Sequence, residues 1–231
     1  MAKYGMIIDL HKCVGCGGCD LACKSENNTP DGINWASHTV ETHGTFPTVK
    51  YQHTPTLCNH CEDAPCVRAC PTQAMYKDDN GITLHDPSKC IGCKSCVLAD
   101  PYDVISYNEE TGFIEWATDN STLVAGCTTS KKELSDKTNS PFPNFNVERG
   151  KDGYEAIRQK GTVEKCTFCN HRVADGLLPH CVTSCPAEAR IFGDLDDSNS
   201  KIASLLTEFK PEVLKPEKGT KPKVFYIRDY N

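Results

Sequence analysis

The chain holds 16 cysteines in 231 residues, and their spacing constrains its fold more than any other feature. They form four groups: Cys13, Cys16, Cys19 and Cys23; Cys58, Cys61, Cys66 and Cys70; Cys90, Cys93 and Cys96; and Cys166, Cys169, Cys181 and Cys185. Cys127 stands apart. The first and third groups share Cys-x2-Cys-x2-Cys-x3, which ends at Cys23 in one and at Asp100 in the other. The second and fourth widen one gap, in CNHCEDAPCVRACP and CTFCNHRVADGLLPHCVTSCP. Proline follows Cys70, Cys185 and Asp100.

This spacing is that of bacterial ferredoxins, in which three thiolates wrap one cubane and the fourth, before proline, reaches the neighbouring cubane. Repeated four times, it points to iron-sulfur clusters. Zinc ribbons use paired knuckles and leave the third closely spaced cysteine of Cys13-Cys16-Cys19 without a role. A disulfide framework is weaker still, since Cys-x2-Cys pairs would close small, strained rings. Hydrophobic residues make up 38% and aromatic residues 8% of the chain, so bound clusters must stand in for part of a core.

The net charge of -6 argues against a nucleic-acid partner, and thiolate-bound clusters would add to it, so an electrostatic partner should be basic. No apolar run is long enough to span a membrane, and Met1 to Leu10 lacks the length and charged flank of a Sec-type leader.

The linkers suggest how the groups pair. Between Cys70 and Cys90, TQAMYKDDNGITLHDPSK alternates like two short strands around an Asn80-Gly81 turn. Residues 58–116 then form one ferredoxin-like module, closing with VISYN at 104–108 and FIEW at 113–116. The first and fourth groups pair across it, with YGMIIDL and RIFGDL as outer strands, so 1–57 plus 117–231 form a second module around the first. The expected fold is α+β: two ferredoxin-like modules, one inserted in the other, with long loop insertions. The swap rule then assigns Cys13, Cys16, Cys19 and Cys185 to one cluster and Cys166, Cys169, Cys181 and Cys23 to its neighbour. In the inserted module it assigns Cys90, Cys93, Cys96 and Cys70 to one cluster, and Cys58, Cys61, Cys66 and Asp100 to the other. Three outcomes are open at Asp100: it ligates a 4Fe-4S cluster, the corner iron is lost to give 3Fe-4S, or Cys127 or water intervenes. The expected cofactors are three 4Fe-4S clusters and this fourth centre.

Through CVGCGGCDLACKSEN, GTFP, LCNHCEDAPCVRACPTQA, EKCTFCNHR, CPAEARIFGDLDD and KPEKGTKPKVFYI the chain resembles the four-cluster iron-sulfur subunits that accompany molybdopterin oxidoreductases of the dimethyl-sulfoxide-reductase type. Within that family it is most similar to the small subunits of dissimilatory arsenate reductases and arsenite oxidases. Family members carry cysteine where Asp100 stands. The resemblance implies a non-catalytic electron-transfer subunit. Its expected partners are a large molybdopterin catalytic subunit at one end and a quinol-linked membrane subunit or c-type cytochrome at the other. It also implies work in the periplasm, after export on the twin-arginine signal of the catalytic partner. The rival reading is a free polyferredoxin in the cytoplasm.

Several features have plainer readings. His60, His171 and His180 lie in or beside cysteine loops and are expected as structural hydrogen-bonding groups rather than ligands. The polar segments 24–57 and 117–160 read as long loops that meet partners. Lys210 to Lys223, rich in lysine and proline, reads as an extended arm that either docks on the large subunit or is solvated.

Overall fold

Residues Tyr4–Asp9 (β1) form a strand whose side chains are apolar on both faces, and such a strand belongs at the centre of a sheet. It lies between Arg190–Asp194 (β8), paired antiparallel from Tyr4↔Asp194 to Ile8↔Arg190, and Val224–Ile227 (β9), paired parallel from Met6↔Val224 to Asp9↔Ile227. Met6 and Ile8 face one side and enter the main core with Trp35, Leu57, Phe168 and Val224. Ile7 faces the other, against Ile191, Ile202 and Ile227. A helix at Lys201–Glu208, capped by Ser200 Oγ accepting from Ala203 N at 3.2 Å, covers that second face. Full burial of Ile7 and Ile202 contributes about 1.5–3 kcal/mol each.

The computed structural model describes residues 2–110 and 158–228, together with residues 130, 133, 136 and 137. FIEW at 113–116, Cys127 and most of segment 117–160 lie outside the described residues.

Two strands form around the Asn80-Gly81 turn: Met75–Lys77 (β4) and Thr83–His85 (β5), paired from Met75↔His85 to Lys77↔Thr83. Asp78 Oδ1 accepts from Asn80 N at 3.1 Å and Ile82 N at 2.6 Å, and Gly81 takes φ +73°, where a side chain would be strained. Ser106–Tyr107 (β6), from VISYN, pairs with Val163–Glu164 (β7), the segment that leads into the fourth cysteine group. The stretch that follows the third cysteine group is therefore joined to the one that precedes the fourth by a strand pair.

Segment 24–57 departs from the loop expectation. Its start completes the helix Gly18–Asn27 (α1), and Ala36–His43 (β2) and Lys50–Leu57 (β3) make an antiparallel hairpin in register from Ala36↔Leu57 to His43↔Lys50. The hairpin escapes a periodicity reading because only its base, around Ala36, Pro55 and Leu57, is buried. Most of the Lys210–Lys223 arm is exposed, as the solvated reading expects, and its end is tied down. It lies on its own chain: Glu62 N donates to Lys221 O at 2.9 Å, Asp63 N to Thr220 O at 3.1 Å, and Lys223 N to Asn59 O at 2.9 Å. These bonds satisfy backbone groups of the second cysteine loop that would otherwise need water.

Candidate metal centres

Each cysteine group opens on a Cys-x-x-Cys turn whose third residue has a left-handed backbone: Gly15 (φ +65°), His60 (+44°), Gly92 (+68°) and Phe168 (+53°). Glycine takes this conformation freely, and His60 and Phe168 take it at a cost of about 1–2 kcal/mol each. Tertiary contact offsets that cost, because the two rings stack at 3.7 Å between centroids and 25° between planes. Both are buried, so the second and fourth groups meet in the middle of the molecule. Gly92 has a second constraint: a Cβ there would lie 2.4 Å from Gly161 O, a backbone atom. Gly92→Ala is expected to lower the iron content of the purified protein, with the loss confined to the Cys90 loop, as read by iron assay and visible absorption.

The cysteines gather in four places. Cys13, Cys16, Cys19 and Cys185 line one pocket together with Ile8, His38 and Arg190. Cys70, Cys90, Cys93 and Cys96 line another with Met75 and Val163. Cys23 lies among Cys166, Cys181 and Cys169, and Asn27 Nδ2 stands 3.6 Å from Cys23 Sγ and 4.0 Å from Cys169 Sγ. Cys66, on the short helix Pro65–Arg68 (α2), lies beside Cys58, Asp100 and Cys61, and all three of these cysteines are buried. Cys16 and Cys93, at the two pocketed sites, are exposed.

The donor chemistry fits iron-sulfur clusters. Described cysteines are free thiols, and several sulfurs already accept backbone N–H groups: Phe168 N to Cys166 Sγ at 3.3 Å, Ala189 N to Cys185 Sγ at 3.3 Å and Met75 N to Cys70 Sγ at 3.5 Å. Burial pushes the Cys66 and Cys169 thiols up to about 12 and that of Cys19 up to about 11. Thiols so buried stay neutral without metal, so loading must expel their protons. Asp100 ends the helix Ser95–Ala99 (α3); its Oδ2 accepts from Val104 N at 2.8 Å and its Oδ1 from Tyr102 N at 3.4 Å. Burial raises its carboxyl above the usual range, and these two N–H groups oppose the rise.

The histidines act as structural groups. His60 Nδ1 accepts from Thr83 N at 3.2 Å. His171 Nε2 lies 2.8 Å and His180 Nδ1 3.1 Å from the Glu26 carboxylate, and Arg172 lies 3.6 Å from it. Glu26 is buried and ties α1 to the short helices Asn170–Ala174 (α4) and His180–Thr183 (α5).

Sequence reasoning missed four residues that matter here: Glu26, Lys165, Arg190 and Thr220. Lys165 is buried, with Nζ donating to Cys166 O at 3.0 Å and to Thr83 O. Thr220 Oγ1 lies 2.5 Å from Tyr102 Oη. Only Arg190 left a signal in the sequence, since CPAEAR carries arginine where the matching CPTQAM carries Met75.

Paired cysteine loops on short helices, with strands between them, define a ferredoxin-like iron-sulfur protein. Residues 49–130 and 152–195 match the family described as 4Fe-4S dicluster domain. The chain is 57% identical to the arsenate respiratory reductase iron-sulfur subunit ArrB of Shewanella sp. over 99% of this chain and 97% of that one. It is 37% identical to a selenate reductase subunit of Mesobacillus selenatarsenatis and 36% identical to a tetrathionate reductase subunit of Salmonella typhimurium, each over 97% of this chain and 72% of the relative. The chain belongs to the 4Fe-4S dicluster family, among the iron-sulfur subunits of dimethyl-sulfoxide-reductase-type enzymes. It is a non-catalytic electron-transfer subunit of a reductase complex rather than a free ferredoxin.

Proposed function

We propose that the chain relays electrons for a respiratory arsenate reductase, between a molybdopterin catalytic subunit and a quinol-linked or cytochrome partner. Bound iron-sulfur clusters would supply one-electron chemistry, at potentials somewhere within about -700 to +450 mV. The residues that would hold them are Cys13, Cys16, Cys19 and Cys185; Cys23, Cys166, Cys169 and Cys181; Cys58, Cys61, Cys66 and Asp100; and Cys70, Cys90, Cys93 and Cys96. The modules are nested, residues 58–116 within 1–57 plus 117–231. The pairing of β1 with β8 and the pocket shared by Cys13 and Cys185 support the outer module. The pocket shared by Cys70 and Cys90 supports the inner one.

One observation carries the relay reading: burial rises from both ends toward the middle. Cys16 and Cys93 are exposed, whereas Cys23, Cys166, Cys169 and Cys181, and Cys58, Cys61 and Cys66, are buried. Adjacent sets share packing, since Cys19, Cys23, Cys58, Cys166 and Cys181 enter one core cluster and Cys61, Cys66, Cys70, Cys90 and Cys96 another. Protein therefore excludes water from the middle sites, while each end keeps a sulfur open to a partner. Exposed Val14 and Leu21 flank one end and Ile91 and Leu98 the other, as contact with two partners requires. Among the described residues no helix is long and apolar enough to cross a membrane. The working compartment we propose is the periplasm, reached with a twin-arginine-bearing partner.

The arsenate assignment follows the 57% identity to ArrB. Its test is isolation of the complex through a tag on this chain. We expect a co-purifying large chain that contains molybdenum, and bleaching of the reduced clusters' spectrum reversed by arsenate. Reoxidation by selenate or tetrathionate but not by arsenate would defeat the substrate assignment; a stable monomer without such a chain would defeat the relay.

A further inference from the structure

Arg190 is buried at 4% exposure on β8, and its hydrogen-bond acceptors are sulfur atoms. Nη2 lies 3.3 Å from Cys19 Sγ, while Nη1 lies 3.9 Å from Cys181 Sγ and 3.8 Å from Met6 Sδ. We propose that Arg190 is a positive charge shared by the two clusters of the outer module, holding both at a higher reduction potential than an uncharged side chain would. The proposal rests on the ligand grouping above, in which Cys19 and Cys181 serve different clusters.

Three physical points support it. Arginine cannot give up its proton in a protein, so the guanidinium is a permanent charge. A buried charge needs an opposite charge; this one hydrogen-bonds cysteine sulfurs, which are thiolates once clusters are bound, and the Asp20 carboxylate adds to them. A buried pair is also screened little by salt, so its field reaches both sites. Reduction adds one electron to a cluster and its thiolates; a neighbouring cation favours that added charge, and two N–H donors on sulfur favour it further.

The inserted module supplies an internal comparison. Arg190 stands at the same distance beyond Cys185 as Met75 does beyond Cys70. The intervening backbone repeats, with Glu188 at φ +50° and Gln73 at φ +55°. Met75 is buried at 1% exposure, but it carries no charge. Lys165 and Lys223 are further buried cations near these sites; Lys165 donates to the carbonyl oxygens of Cys166 and Thr83, and Lys223 to that of Gly81, instead of to sulfur. The direct charge-to-sulfur contact thus distinguishes the outer module from the inner one.

The test is a redox titration of the cluster-loaded complex containing the full chain, followed by electron paramagnetic resonance. In Arg190→Met and Arg190→Gln the potentials of two of the four centres should fall together, with the other two unmoved and iron content unchanged. Arg190→Lys should return both part of the way. Loaded neutral variants with no shift, or with all four centres shifted alike, overturn the proposal. A shift of one centre alone places Cys19 and Cys181 on a single cluster, so that the ligand grouping fails and the shared role with it. Iron loss in both neutral variants with retention in Arg190→Lys supports the role of the charge; iron loss in all three variants shows a merely structural residue and overturns it.

Discussion

Asp100→Cys is expected to abolish the paramagnetic signal of the air-oxidised protein and to raise its iron content by about one atom per chain, through replacement of a hard oxygen donor by thiolate. Three cysteines, Cys58, Cys61 and Cys66, lie together here, and Asp100 stands beside them. Its two oxygens are already shared with the N–H groups of Val104 and Tyr102, at 2.8 Å and 3.4 Å. Those bonds withdraw electron density from a donor that already holds iron less firmly than sulfur does. Air should therefore strip iron from this corner first and leave a 3Fe-4S centre, which is paramagnetic when oxidised, while all-cysteine 4Fe-4S centres are silent. Asp100→Asn, lacking the anion, should show the signal even without air. A parent protein with no oxidised signal and full iron content would mean that the corner iron is firmly held, by Asp100 or by Cys127 or water in its place. A signal that persists in Asp100→Cys would locate the labile iron elsewhere.

Glu26→Ala should destabilise the folded chain by about 3–5 kcal/mol, the cost of removing one partner from a buried ion pair. Its carboxylate lies 2.8 Å from His171, 3.1 Å from His180 and 3.6 Å from Arg172. Removing it leaves His171, His180 and Arg172 without the carboxylate they share, with α1, α4 and α5 no longer tied at one point. Since α1 carries Cys19 and Cys23 and α5 carries Cys181, the damage should appear as earlier bleaching of cluster absorption on heating or in denaturant. Glu26→Gln keeps two hydrogen-bonding atoms and should fall between. A loss below about 1 kcal/mol for Glu26→Ala would mean that water replaces the carboxylate.

The parts of the fold legible in the sequence are those encoded locally. Asp78 to Gly81 announces its turn because a carboxylate and a glycine suffice to make it. The cysteine turns are legible because their spacing is itself chemical, and β1 because unbroken apolar residues need cover on both faces. Other elements depend on distant partners. The hairpin at 36–57 shows few apolar residues, so nothing marks His53 as the side chain whose Nε2 lies 3.1 Å from Cys13 O. Glu26 reads as an ordinary helix-surface charge until His171 is brought against it from far along the chain. His60 and Phe168 hold a backbone that glycine usually supplies, and only their mutual stacking explains why neither needs to be glycine. The attachment of the arm's end does not show in the sequence because Thr220, Lys221 and Lys223 meet the second cysteine loop through backbone.

The central place of β1 also sets a calendar for assembly. Residues 4–9 are made well before their antiparallel neighbour at 190–194 and their parallel neighbour at 224–227. While the ribosome works, this strand has no sheet to join, and Cys13 to Cys23 have no Cys185 or Cys166 nearby. The cysteine groups at 58–70 and 90–96 come off the ribosome close together and can find each other early, whereas Cys13 to Cys23 can meet Cys166 to Cys185 only after that later group has emerged.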